Sequence, residues 1–432
     1  MAKRKTAMLM TIGTGTGEDK IESAKSLAHG LLFSIDSKNP DEVYFFGSKE
    51  SLQTLEFLKE QYLEKFESEF DFYEFIEIER IDSFENYFNG FKSKIEGLKG
   101  YKIIIDYTSG TKTMTMSAAF ASMLYHKDLI FVSGKRKNGI VIKGTEKIIS
   151  QNLYPVYDEL MFEKLNELFN TNRFESGEIF LDDIVGDNPD REIYTKLFKI
   201  YNCFDIFDYE TAFELFDDDF INQLRERWPQ KAQEFTNNRR ALNSMQKLDP
   251  KIVDLGKKPW KNKKYKNRCY YILANLLNNA KRRYAEHKYD DAVARLYRSF
   301  EFIAQIELKT KYGLTTSNVD LDILRSRNLD EEYIEKLENS RDEKSGNIKI
   351  GLVQDYELLN AFGNDLGSYY KEHENKIGDS TRHRNSSILA HGFNFSSKTD
   401  YEDFEEIVLE TANKLNKDMA RFIEESKFPK LN

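Results

Sequence analysis

The sequence predicts an α/β domain with a doubly wound sheet, followed by an all-α region. Short apolar runs alternate with helical patterns over about the first 150 residues. Two Gly- and Thr-rich turns each lie between a predicted strand and a predicted helix. From about Tyr157 onward, strand patterns give way to amphipathic helical patterns. Alternation of strands and helices is typical of a mostly parallel sheet, so the first part of the chain is expected to form one.

Composition describes a globular protein of more than one domain. The chain has 432 residues, of which 40% are hydrophobic and 13% aromatic, and this argues against disorder. The net charge of −9 argues against a protein coated with nucleic acid, so any RNA contact is expected to be local and no DNA partner is expected.

Cysteine usage and hydropathy predict a cytoplasmic protein. Cys203 and Cys269 are the only cysteines, which excludes a disulfide scaffold and a cysteine-based zinc site and fits a reducing compartment. No apolar run approaches the length of a membrane span, so no membrane contact is expected.

Each element of the α/β part follows from a local pattern. The apolar runs TAMLMTI, VYFF and YKIIID predict strands, and a less regular run at 72–78 and a short one at 129–132 predict two more. Helical periodicity between these runs predicts helices at about 20–33, 56–66, 84–98 and 111–126.

Two strand-to-helix loops are suited to bind a phosphate-bearing ligand. Open parallel sheets bind ligands at the carboxyl ends of their strands, where backbone N–H groups and helix N-termini face the ligand. The loops at 13–17 and 107–113 occupy such positions and add hydroxyls and one lysine. The candidate ligand-binding residues are Gly13, Thr14, Gly15, Thr16, Thr108, Ser109, Gly110, Thr111 and Lys112.

The details of these loops exclude the common nucleotide-binding motifs. Glu18 stands where a dinucleotide-binding loop has its third glycine, and no acidic residue ends the second strand. The loop at 107–113 lacks the upstream glycine of a P-loop. A Gly-rich turn after a first strand can also be purely structural.

The pair of loops resembles the CARF domain, the Rossmann-like sensor of cyclic oligoadenylates in type III CRISPR systems. The resemblance rests on Asp-Tyr-Thr-Ser-Gly-Thr-Lys at 106–112, which opens a helix containing Met-Ser-Ala-Ala. It implies a ligand site built from both loops across a homodimer axis. The form of the motif is closer to sensors of cyclic tetra-adenylate than to those of the hexa-adenylate.

A second motif, Arg-Asn-Ser-Ser-Ile-Leu-Ala-His-Gly, begins at Arg384. His391 follows Arg384 by seven positions, so on a helix the two side chains would point within about 20° of each other. The pattern predicts that Ile388 and Leu389 point to a core and that Gly392 ends this helix. A fixed cation beside an imidazole suits phosphodiester chemistry, although a surface helix with an incidental Arg and His gives the same spacing.

This stretch resembles the R-x(4–6)-H signature of HEPN ribonucleases, in its Arg-Asn…Ala-His-Gly form. The resemblance implies metal-independent cleavage of single-stranded RNA that leaves a 2′,3′-cyclic phosphate. Arg384 would hold the scissile phosphate, His391 would transfer the proton, and Asn385 would orient the pair. One motif per chain implies a composite site in a homodimer. No cofactor or metal is implied beyond the cyclic oligoadenylate activator.

The helix before this motif resembles the corresponding region of CRISPR-associated CARF–HEPN proteins. Three of its polar residues, Arg295, Arg298 and Glu301, would support the site or contact RNA, or would simply form surface ion pairs. The basic and aromatic run KKPWKNKKYKNR at 257–268 also has two interpretations: it could guide single-stranded RNA or be a solvated loop.

The order of motifs predicts three domains. We expect a CARF-like sensor at 1–152, a helical connector at 153–270 and a HEPN ribonuclease domain at 271–432. Two other functions remain open at this point. The HEPN-like helices could bind RNA or a partner without cutting, or the sensor could itself degrade its cyclic ligand.

Overall fold

The computed structural model describes residues 4–15, 19–137, 140–184, 188–246, 259–390 and 392–431. The chain forms two compact units. The first comprises Met1–Phe162 with Ile184–Asn188, and the second comprises Glu163–Asp183 with Pro189–Asn432.

The first unit contains the predicted doubly wound sheet. Its strands are β1 Thr6–Ile12, β2 Glu42–Gly47, β3 Tyr73–Glu77, β4 Lys102–Asp106, β5 Asp128–Ser133, β6 Arg136–Lys137, β7 Ile140–Val141 and β8 Lys147–Gln151. Among the described residues, the main sheet has the order β3-β2-β1-β4-β5-β8. β1 to β5 pair in parallel, and β8 adds an antiparallel edge that the sequence analysis missed. The predicted fold class is confirmed.

Helices cover both faces of this sheet because the central strands are apolar on both sides. The helices are α1 Lys20–Lys38, α2 Leu52–Phe66, α3 Phe84–Gly97 and α4 Lys112–Tyr125. Alternate residues of β1 enter two separate cores: Ala7 and Leu9 pack on one face, and Met8 and Met10 on the other. Burial on both faces explains why the central strands are continuous apolar runs.

The strand register places the two predicted ligand loops next to each other. β1 lies between β2 and β4, and Met10 pairs with Asp106 at the carboxyl end of β4. Both loops therefore leave the sheet at the same edge, on neighbouring strands. This edge is where doubly wound sheets bind ligands.

The second unit is built from helices. The helix that crosses the boundary and those that follow are α5 Tyr154–Asn170, α6 Phe174–Phe180, α7 Asp190–Asp205, α8 Tyr209–Leu215, α9 Asp218–Arg227, α10 Ala232–Met245, α11 Lys263–Ala285, α12 Tyr289–Glu307, α13 Leu321–Arg325, α14 Glu331–Asn339, α15 Leu352–Ala361, α16 Asp365–Glu372, α17 Glu374–Asn385, α18 Lys398–Leu415 and α19 Met419–Glu425. A π-helical turn, Leu308–Tyr312, follows α12.

Helix α12 is the element against which the candidate site is built. It packs against α11, α15, α17 and α18. Its inner stripe is fully buried and includes Leu296, Phe300 and Ile303. Tyr356 of α15 stacks on Phe300 at 4.4 Å, and its hydroxyl donates to the Phe300 carbonyl oxygen at 2.8 Å. Leu296, Phe300 and Ile303 recur at helical spacing, which predicts from the sequence alone that they share this buried face.

Two helix boundaries differ from the sequence-based expectation. Helical periodicity over about 400–425 predicts one final helix, but the structure has two, because extended backbone at Asn416 (φ −151°) interrupts it. The predicted helix through His391 ends at Asn385, six residues early. No helix within the described ranges combines the length and apolar character needed to cross a membrane.

Candidate functional site

Ser109 joins the two loops at the edge of the sheet. Its hydroxyl oxygen accepts a hydrogen bond from the Gly13 backbone N–H at 3.0 Å, and its carbonyl oxygen accepts one from the Thr11 hydroxyl. A Cβ atom on Gly13 would lie 3.0 Å from the Gly110 Cα, so glycine allows the two backbones to approach. The structure therefore brings Gly13, Ser109 and Gly110 together, as the sequence predicted.

Asp106 holds the second loop from inside the sheet. Its carboxylate accepts from the Thr108 backbone N–H at 2.7 Å and from the Ser34 hydroxyl. Burial raises the pKa of Asp106, which is fully buried, while the bonds from Ser34 and Thr108 oppose that rise. The Thr108 hydroxyl oxygen accepts from the Val132 backbone N–H at 2.8 Å, so Thr108 is fastened on both sides.

The other candidate ligand residues differ in their hydrogen bonding and in their exposure to solvent. Thr111 caps α4, where its hydroxyl accepts from the Met114 backbone N–H at 3.3 Å. Thr14 and Lys112 are exposed at the loop surface, and Gly15 has a φ of +86°. Thr16 lies outside the described residues. Lys112 is therefore a cation that the loop presents to solvent at a helix N-terminus.

In the second unit, the chain forms a closed loop after Arg384, in which Ser387 and Asn394 are joined by an isolated parallel bridge. The turn is closed by backbone hydrogen bonds from Ile388 N–H to Asn394 O at 3.3 Å and from Asn394 N–H to Ser386 O at 3.1 Å. A Cβ atom on Gly392 would lie 2.0 Å from the Ser386 carbonyl oxygen. The predicted helical C-cap at Gly392 is therefore wrong: this glycine permits a close backbone crossing instead.

The residue types explain why the helix stops. Asn385, Ser386 and Ser387 favour turns over helix interiors, and the Ser386 hydroxyl donates to the His383 carbonyl oxygen at 2.9 Å. Because the helix ends at Asn385, the chain from Arg384 towards His391 is not helical, and the predicted shared helix face is wrong. His391 itself lies outside the described residues.

The loop exposes apolar side chains. Ile388 and Leu389 are 64% and 50% exposed, so the expectation that they enter a core is wrong. Phe393 and Phe395 are 95% and 83% exposed. Four large apolar side chains thus surround the position of His391 in the sequence, which is unusual for a solvated loop.

Arg384 lies on an aromatic platform that the sequence analysis missed. The centre of its guanidinium is 4.4 Å from the centroid of the Tyr297 ring, and Nη1 donates to the Asn385 side-chain oxygen at 3.0 Å. Its Nε is buried and has no hydrogen-bond acceptor among the described residues. Tyr297 is on α12, one position before Arg298 and four before Glu301.

The three candidate supporting residues of α12, Arg295, Arg298 and Glu301, are engaged within the protein. Arg298 donates to the Glu301 carboxylate at 3.0 Å. Arg295 donates to the Asp291 carboxylate at 2.8 Å and to the Asn279 side chain, whose amide in turn donates to Asp205 of α7 at 2.8 Å. These contacts match the alternative of intramolecular ion pairs, and they connect α12 through α11 to α7.

Asp355 of α15 is a second feature that the sequence did not indicate. It is fully buried, and neither carboxylate oxygen has a hydrogen-bond partner among the described residues. Burial raises the pKa of Asp355 to about 8; the negative charge of Glu301 adds to the rise and Arg298 opposes it. Tyr297 of α12, on which Arg384 stacks, thus also lies near a carboxyl that is neutral below about pH 8.

No group of three or more His, Cys, Asp or Glu side chains lies close enough to hold a metal ion within the described ranges.

Comparison with known proteins identifies both parts of the helical unit. The Csm6 HEPN domain profile matches residues 261–415, and the Csm6 6H domain profile matches residues 157–246. No curated protein sequence matches the chain.

The fold is similar to that of Enterococcus italicus Csm6 bound to cyclic hexa-2′-fluoro-hexa-dAMP. The TM-score is 0.55, and the match covers 96% of this chain and 97% of that one. The sequence identity is 11%, so this similarity shows the fold alone.

Replacing Asp355 with asparagine tests the state of the buried carboxyl. An acid whose pKa is raised on folding stabilises the fold below its unfolded pKa of about 4, and this contribution is lost as pH rises towards 8. We expect Asp355→Asn to melt above the wild type at pH 8.5 and near it at pH 5, as measured by differential scanning calorimetry. The exposed Asp403→Asn is the control, and a constant difference across pH would contradict the assignment.

Proposed function

We propose that this chain, which belongs to the CARF–HEPN effectors of type III CRISPR systems and carries the HEPN and 6H domains of Csm6, is an endoribonuclease activated by a cyclic oligoadenylate. It cleaves single-stranded RNA in the cytoplasm without a metal ion. The observation that carries the proposal is the Arg384 guanidinium, fixed by Tyr297 and Asn385 beside the exposed loop of the HEPN domain.

The proposed catalytic roles of Arg384 and His391 follow from the chemistry of their side chains. The RNA 2′-hydroxyl attacks the adjacent phosphorus, the bond from phosphorus to the 5′-oxygen breaks, and a 2′,3′-cyclic phosphate and a 5′-hydroxyl form. His391 takes the proton from the 2′-hydroxyl or supplies one to the leaving 5′-oxygen. Arg384 binds the phosphate and stabilises the charge that develops on it.

The stacking of Arg384 supports this role. A guanidinium over an aromatic ring keeps its in-plane N–H donors available for an anion. Asn385 engages Nη1 and fixes the rotation of the group. The cation is therefore preorganised, so less side-chain entropy is lost when a phosphate binds.

We assign the active form to a homodimer. The exposed apolar side chains of the loop, Ile388, Leu389, Phe393 and Phe395, support an interface there, because their burial by a second copy is favourable. A two-fold axis through this loop would place two Arg384 and two His391 residues in one site.

The activator binds the two loops that Ser109 joins. A cyclic oligoadenylate presents several phosphates, and the backbone N–H groups, hydroxyls and Lys112 at this edge suit them. The sequence motif favours a ring of four adenylates, whereas the ligand of the Enterococcus italicus protein has six residues. We assign the sensor to 1–152, the connector to 153–270 and the nuclease to 271–432.

The test is cleavage of a fluorogenic single-stranded RNA in EDTA, with cyclic tetra- and hexa-adenylate added separately. We expect one ring to activate cleavage strongly and His391→Ala to abolish it. Cleavage that survives in His391→Ala would remove this residue from the mechanism. Inhibition of the wild type by EDTA would indicate a metal-dependent nuclease. If the protein binds RNA but cleaves it with neither cyclic tetra- nor hexa-adenylate, the chain is an RNA-binding protein and not a nuclease.

Tyr297→Leu tests the aromatic platform. Loss of the ring frees the guanidinium, and a cation–π contact of about 1–2 kcal/mol predicts a fall in kcat/KM of roughly tenfold. Tyr297→Phe keeps the ring and should retain activity within about threefold of the wild type, because the hydroxyl is not needed for stacking. Steady-state cleavage assays at saturating activator measure both. Equal losses in the two variants would contradict the platform role.

Lys112→Ala tests the sensor loop. Removing an exposed cation at a helix N-terminus should raise the activator concentration for half-maximal cleavage by about tenfold or more, since one phosphate loses a charged partner. Titration of the activator in the RNA cleavage assay measures this shift. Lys92→Ala, which removes an exposed lysine from α3, is the matched control. If both variants respond to the activator equally, the loop is not the ligand site.

A further inference from the structure

Four lysines gather where α11 begins. Lys261 ends the 3₁₀ turn Pro259–Lys261, and Lys263, Lys264 and Lys266 follow in the first turn of the helix. The first three are exposed. None of the four forms an ion pair with a carboxylate in the part of the chain that the structure describes, and the first turn of α11 contains no acidic residue.

This arrangement opposes the electrostatic preference of a helix. The N-terminus of an α-helix carries a partial positive charge and is stabilised by acidic side chains, not by lysines. Lysines in the first turn also repel one another at this spacing. The isolated fold gains nothing from such an arrangement, whereas a polyanion is attracted by both the helix end and the lysines.

An aromatic and a fifth lysine extend the same surface. The Lys309 ammonium lies 4.6 Å from the centroid of the Trp260 ring. Burial lowers the pKa of Lys309, whose Nζ donates to the Thr315 hydroxyl at 2.7 Å and contacts no carboxylate among the described residues. Lys309 lies in the π-helical turn, a distortion of the helix that is frequent at functional sites.

We propose that this basic and aromatic surface, formed by Trp260, Lys261, Lys263, Lys264 and Lys309, binds single-stranded RNA outside the catalytic loop. Lysines along a backbone path combined with an aromatic ring are the elements that hold single strands, since every base can stack and every nucleotide carries a phosphate. In a chain of net charge −9, a local group of unpaired cations is needed to attract RNA at all.

The surface is separated from the reacting phosphate. Lys309 follows Tyr297, the platform of Arg384, by about 18 Å of helix at 1.5 Å per residue. A substrate that reaches both places therefore spans several nucleotides. This inference rests on the proposed function for its substrate class, and it adds a determinant of affinity that the catalytic loop does not contain.

The experiment measures binding and needs no cleavage. The probe is a fluorescein-labelled single strand of about 20 nucleotides, 2′-O-methylated throughout so that no nucleophile remains. The variant is Lys261→Gln/Lys263→Gln/Lys264→Gln in the full-length protein, and fluorescence anisotropy is recorded at several salt concentrations. The matched control, Lys336→Gln/Lys344→Gln/Lys417→Gln, removes three exposed lysines elsewhere in the same unit.

We expect the variant to bind about tenfold or more weakly than the control. Loss of three phosphate contacts should also reduce the slope of log K against log salt by about 2. Trp260→Leu should weaken binding with an unchanged salt slope, because stacking releases no counterions.

Equal affinities and slopes in the variant and control would overturn the proposal. Because the probe cannot be cut, this outcome is distinct from failure of the nuclease assignment, which the cleavage assay reports separately. Wild-type affinity in Trp260→Leu would overturn the stacking component. Circular dichroism confirms that each variant is folded.

Discussion

The closure of the loop between Ser386 and Asn394 is the constraint on which the candidate active site depends. The backbone crosses itself where Gly392 meets the Ser386 carbonyl, a contact that any Cβ atom would block. At the end of the loop, the Ser396 backbone N–H donates to Asp290, at the start of α12, at 2.8 Å. The loop is therefore closed on itself and fastened to the helix that carries Tyr297. These contacts hold the loop beside Arg384 while leaving its apolar side chains exposed.

An equivalent constraint operates at the sheet edge of the first unit. Ser109 connects two loops that are about 96 residues apart in sequence but leave adjacent strands. Asp106, buried and with a raised pKa, holds the same loop from below. Rigid loops of this kind lose little entropy on binding a ligand, so a ring of phosphates can be recognised by backbone groups. The residues left exposed, Thr14 and Lys112, are the ones free to respond to a ligand.

The sequence was sufficient where periodicity and strand order determine structure. The apolar runs from β1 to β5 specify a parallel sheet, and that topology places the two ligand loops together without further information. The buried face of α12 follows from the sequence in the same way, because its apolar residues recur at helical spacing. The course of the loop after Arg384 could not be predicted, because a separation of seven positions between Arg384 and His391 fits a helix as well as a turn. Its course depends on a contact between Gly392 and Ser386 that exists only in three dimensions.

Two parts of the candidate site had no sequence signal at all. Tyr297 is one aromatic among many, and only the packing of α17 on α12 brings it to Arg384. Asp355 is one of two carboxylates in a largely apolar helix, and its raised pKa results from burial. The motifs that carry the proposed chemistry could be recognised from their residue types. The side chains that position those motifs are determined by tertiary contacts and could not be.

The most direct test of the central claim is the chemical structure of the RNA ends. Products made by the activated protein in the presence of EDTA would be analysed by mass spectrometry. Attack by the 2′-hydroxyl, with Arg384 and His391 as the only catalytic groups, predicts 2′,3′-cyclic phosphate and 5′-hydroxyl ends. A 3′-hydroxyl paired with a 5′-phosphate would mean that water is the nucleophile, and it would contradict the mechanism.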